Sequence, residues 1–73
     1  MISPQYIISI YCGPDLLDIR TGDGQHVMDA TVKRYPMANR MEMITLMGNH
    51  RFYNEWTLRD GQWVSVKYMS FPE

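Results

Sequence analysis

The chain has 73 residues, a formal net charge of −1, and 45% hydrophobic against 21% charged side chains. A domain of that length buries only roughly 60% of the surface its unfolded form exposes, so its stability is marginal without help. Two kinds of help are excluded. Cys12 is the single cysteine, so no internal disulfide forms, and His26 and His50 stand far apart with no cysteine partner at zinc-ligand spacing. Oligomerisation or binding to a larger partner remains.

The first apolar run, Tyr6–Cys12, is too short to span a membrane and has no basic residue before it. No membrane partner is expected. A soluble, cytoplasmic protein is therefore expected, and the lone cysteine points to a reducing compartment or to an intermolecular pair. Up to Ala30 four acids stand against Arg20, whereas from Thr31 on six bases stand against four acids. The balance shows no cationic excess of the kind that binds nucleic acid strongly.

Within Tyr6–Cys12, Ile8, Ile10 and Cys12 alternate with Ile7, Ser9 and Tyr11, which predicts a strand. Gly13-Pro14 ends it, because proline cannot donate to a ladder. Leu16–Arg20 and His26–Arg34 flank the sequence TGDG, and Asp-Gly between such runs predicts a hairpin of two further strands. In the register of that hairpin Asp18 falls opposite Asp29. Like charges so placed form a candidate acid/base or cation-binding pair.

The segment PMANRMEMITLMGN reads two ways. Pro36 at its start and Gly48 past its end suit a helix. The alternation of Met41, Met43 and Met47 with Glu42, Ile44 and Leu46 suits a strand over 41–47, which is preferred because the helical reading gives no clean apolar stripe. A short helix near 37–47 is the alternative.

The last hairpin turns at Asp60-Gly61, with Leu58 opposite Trp63 and Trp56 opposite Ser65. Continued regularly, one face carries Phe52, Trp56, Leu58, Trp63 and Met69 and is expected to be the core. The other carries Tyr53 opposite Tyr68, together with Val64 and Val66, and is apolar beyond what cross-strand pairing explains. The expected fold is therefore all-β, a small antiparallel barrel or strongly curled sheet of five to six strands forming one domain.

No catalytic constellation emerges. Cys12 lies in an apolar run with no adjacent base, Ser9 and Ser65 fall mid-strand, and GDG lacks the lysine and helix of a phosphate loop. No cofactor or metal is expected. Seven methionines, with Tyr, Trp and Arg, are the residue types of adaptable contact surfaces. The expected function is non-enzymatic protein binding through Tyr53, Val64, Val66 and Tyr68, with Arg51, Arg59 and Lys67 around them. The partner is a second copy or a larger protein. A small accessory or inhibitory protein, of the kind phages and mobile elements encode, fits this description. The alternative is a single-stranded nucleic-acid-binding β-barrel, with the tyrosines stacking bases and those three cations on the backbone.

Overall fold

A computed structural model describes residues 4–23 and 26–72. The chain runs β1 (Gln5–Cys12), β2 (Asp15–Gly22), α1 (His26–Arg34), β3 (Arg40–Met47), β4 (His50–Arg59) and β5 (Gln62–Pro72). The five strands form one antiparallel sheet in the order β2-β1-β3-β4-β5. β2 and β5 are its free edges, so the sheet is curled rather than closed into a barrel.

Turn chemistry sets three of the four antiparallel pairings. Gly13 (φ 60°) turns β1 into β2, and Gly48 (φ 59°) turns β3 into β4. Asp60 and Gly61 both take positive φ, at 51° and 79°, the geometry of the type I′ hairpin turn. The strand over 41–47 forms as expected and begins at Arg40.

His26–Arg34 is a helix, not a strand, and the short helix of this fold therefore lies here rather than near 37–47. Two periodicities overlap in this segment. The residues alternate, but Val27 and Thr31 also stand one helical turn apart. Asp29 in the first turn and Lys33 and Arg34 in the last suit the helix dipole. Thr31 is buried, and its hydroxyl donates to the Val27 carbonyl at 2.6 Å. β2 consequently pairs with β1, not with 26–34. The expected Asp23-Gly24 turn reaches outside the described residues at Gly24.

α1 lies over β1 and β2. Its approach is close at Gly22, where a Cβ would overlap the Val27 side chain. Beneath it sits the core: Ile8 and Ile10 of β1 and Met41 of β3 are wholly buried, and Ala38 nearly so. Trp56 and Trp63, expected at the centre of the core, are on the same face but only half-buried, because the helix stops short of β4 and β5. Asn39 ties the ends of three strands. Its N–H donates to the Tyr11 carbonyl, its side-chain oxygen accepts from Gly13 N–H at 2.9 Å, and its carbonyl accepts from Leu58 N–H.

The last hairpin follows the expected register from Arg59↔Gln62 to Trp56↔Ser65. It then shifts. Glu55 pairs with Lys67, Asn54 with Tyr68 and Tyr53 with Met69, which leaves Val66 without a partner in a β-bulge. Beyond it every β5 side chain lies on the face opposite to that of a regular hairpin.

Candidate protein-contact faces

The bulge divides the expected contact cluster. Tyr53 and Val64 lie on the face away from α1, here called the open face, and both are half-buried. Tyr68 lies on the helix-bearing face, 60% exposed, and Val66 protrudes at the bulge, 41% exposed. Of the cations, Arg51 and Lys67 fall on the open face, while Arg59 flanks the hairpin turn, exposed.

The open face is built in rows set by the register. One row is wholly apolar over four strands: Ile7, Ile44, Tyr53 and Met69. On one side of it run Gln5, Leu46, Arg51 and Phe71; on the other run Ser9, Glu42, Glu55 and Lys67. Ile44 is 38% and Phe71 43% exposed. With Arg51 and Tyr53 they line a shallow depression of about 240 Å³.

Glu42 and Glu55 are cross-strand neighbours, and like charges so placed repel. Arg40 neutralises the first, its Nη1 2.7 Å from Glu42 Oε1, while its guanidinium stacks 4.0 Å above the Tyr11 ring. The carboxylate beside it holds the Arg40 guanidinium more firmly protonated than usual. Tyr53 donates its hydroxyl to Glu55 at 3.2 Å. Burial, then the nearby Glu42 and Glu55 carboxylates, push its phenol up to about 12. Glu55 and Arg51 form no ion pair among the described residues.

The helix-bearing face also has an uncovered half. Beside α1 an open groove of about 360 Å³ is lined by Met28, Met43, Met47, Phe52, Trp56 and Tyr68. His50, Phe52 and Tyr68 follow one another as near-parallel rings with centroids 6.3 and 6.4 Å apart. Trp56 Nε1–H is buried and has no acceptor among the described residues, a defect that costs on the order of 1–3 kcal/mol.

The expected carboxylate pair is not brought together. Asp29 is exposed on α1, whereas Asp18 on β2 accepts from the Tyr35 hydroxyl and lies 3.5 Å from Arg20. The Tyr35 hydrogen bond is the chief reason its carboxyl is held below the usual value. His26 is exposed at the start of α1, and Cys12 is half-buried. Among the described residues no three His, Cys, Asp or Glu side chains are grouped to hold a metal, and no helix is long and apolar enough to cross a membrane.

Sequence reasoning missed Ile44, Met69 and Phe71. The signal for Ile44 was present in the alternation of β3, but its neighbours depend on strand order. Met69 and Phe71 were hidden by the bulge. No family model, curated protein or solved structure matches this chain.

Proposed function

We propose that this protein is a non-enzymatic protein-binding module that works through its open sheet face, with a second copy of itself or as an accessory or inhibitor of a larger protein. One observation carries the reading: among the described residues a five-stranded sheet has a single nine-residue helix on one face and no element on the other. Its surface area and dimensions agree. The chain exposes 5027 Å², against about 4,700 Å² for a globular protein of its mass. Its radius of gyration is 12.3 Å, against about 11 Å for a compact chain of this length. A row of aliphatic and aromatic side chains rimmed by charges is the anatomy of a contact surface.

Ile44→Asp tests the reading. It places a charge in the middle of the row without touching the buried core. The variant is expected to fold, by circular dichroism, and to lose association, whether self-association seen by light scattering or a co-purifying protein. A variant that keeps every association of the wild type would overturn the reading.

The stacked rings of His50, Phe52 and Tyr68 support nucleic-acid binding as a second reading. Arg51 and Lys67 project from the opposite face, so the cations do not flank those rings. Salt-dependent oligonucleotide binding that Tyr68→Ser abolishes would favour this reading over the first.

A further inference from the structure

We infer that the open face pairs with the same face of a second copy, about a two-fold axis running along the row Ile7–Ile44–Tyr53–Met69. The inference rests on the protein-binding reading and names its partner. The reason is self-complementarity. A closed homodimer uses one patch twice, so the patch must match itself after a half-turn. In β4 the open-face side chains near the row are Arg51, Tyr53 and Glu55. Tyr53 lies on the row, Arg51 two residues to one side and Glu55 two to the other. A half-turn about the row therefore brings Glu55 of each copy over Arg51 of the other. Neither has an ion pair of its own among the described residues.

The other three strands that carry the row obey the same operation. On β5, Lys67 and Phe71 flank Met69, so the half-turn sets a cation against an aromatic ring, twice. On β1, Gln5 and Ser9 flank Ile7 and exchange as hydrogen-bonding partners. On β3, Leu46 meets Glu42, whose charge Arg40 already neutralises within its own chain. The row itself meets the row, apolar on apolar. A half-turn about an axis along the strands at β3 would instead set Glu42 over Glu42 and Arg40 over Arg40.

The face is also large enough. Five strands about 4.8 Å apart and eight residues long, rising about 3.3 Å each, present on the order of 600 Å². Stable complexes bury roughly 600–1,000 Å² per partner. Two sheets stacked about 10 Å apart and crossed by about 30° is ordinary sandwich packing. It would cover the face that α1 leaves bare.

A charge swap tests the geometry. Arg51→Glu gives a chain with Glu at both 51 and 55, and Glu55→Arg gives one with Arg at both. Each alone sets like charges against each other across the axis. Each is expected to weaken self-association at least about a hundredfold, since opposed like charges cost several kcal/mol. An equimolar mixture restores both pairs and is expected to form the heterodimer, read by light scattering and native mass spectrometry. The double variant R51E/E55R restores both pairs within a homodimer and is expected to be dimeric. Circular dichroism melts check that each single variant is folded; if either is not, the double variant carries the test.

A wild type that is monomeric at hundreds of micromolar would overturn the inference. So would single variants that dimerise as the wild type does, or a mixture and a double variant that both stay monomeric. These failures are distinguishable from failure of the broader reading. A monomeric wild type with a co-purifying protein that Ile44→Asp releases removes the second copy but keeps protein binding. A monomer with no partner of either kind removes both.

Discussion

Tyr35, the first residue after α1, donates its hydroxyl to Asp18 of β2 at 2.5 Å. The bond ties the end of the helix to the edge strand beneath it. It also holds the Asp18 carboxyl below its ordinary 3.8. A carboxyl whose folded pKa is depressed stabilises the fold above its unfolded value and loses that contribution as the pH falls through and below it. Tyr35→Phe is expected to melt at a lower temperature than wild type at neutral pH, and the difference should shrink as the pH drops below about 4. Melting curves from pH 2 to pH 7 check this; a difference that is constant over that range would mean the bond contributes no linkage.

The second point of attachment is Gly22 against Val27. Gly22 has no positive φ, so substitution there is limited by space and not by backbone strain. Gly22→Ala is expected to cost about 1–3 kcal/mol, as overpacking does. Adding Val27→Ala makes room, so the double variant should recover part of the loss. The coupling energy from a double-mutant cycle measures this contact, and purely additive effects would show that α1 does not bear on Gly22.

Side-chain burial orders the core differently from aromatic content. Ile10 is wholly buried, whereas Trp63 is half-buried. Ile10→Ala is expected to cost about 2–5 kcal/mol, a large part of what so small a domain has. Trp63→Ala should cost less despite removing a larger side chain. Urea denaturation of the two variants decides; the reverse order would place the true core at the hairpin.

Tyr53 reports on the open face. Its phenol is raised from 10.0 to about 12 by burial and the adjoining carboxylates. A raised folded pKa means stability that is complete below the unfolded value and lost as the pH rises through the folded one, here between pH 10 and about 12. Tyr53→Phe is expected to remove the highest-pH step of the phenolate absorbance and to flatten the alkaline limb of stability. If the step remains, another of the five tyrosines carries it.

Much of the sheet was legible in local signals. Gly13, Gly48 and Asp60-Gly61 occupy positions whose positive φ few other residues tolerate. The alternation in Tyr6–Cys12 marked β1 as a strand, and its Ile8 and Ile10 face is the buried one. Two features escaped, each because a tertiary contact decided between local alternatives. His26–Arg34 carries both periods. The absent Cβ of Gly22 and the burial of Thr31 select the helix, and neither is visible along the chain. Val66 is a good strand residue, so nothing marks it as an interruption; only the pairing of Glu55 with Lys67 shows it. That one residue also moved Tyr68 from the expected contact cluster to the other face and brought Met69 and Phe71 in its place.

The bulge can be tested by deletion. Ser65 pairs with Trp56, Lys67 with Glu55, and Val66 with nothing. Removing Val66 joins two residues whose partners are already adjacent on β4, so every remaining side chain keeps its partner and its face. The deletion is expected to fold with stability within about 1 kcal/mol of wild type, the change coming from lost local twist. Removing Met69 is different. Ser70 would have to take the place opposite Tyr53, and Phe71 would turn to the helix-bearing face. That variant is expected to lose the self-association of the open face as well as stability. Ring contacts between Phe52 and Tyr68, centroids 6.4 Å apart in the wild type, give the readout by nuclear Overhauser effects. They should persist when Val66 is removed. If they are absent from the wild type and appear only when Val66 is removed, Val66 is part of the ladder and the two faces of β5 are those of a regular hairpin.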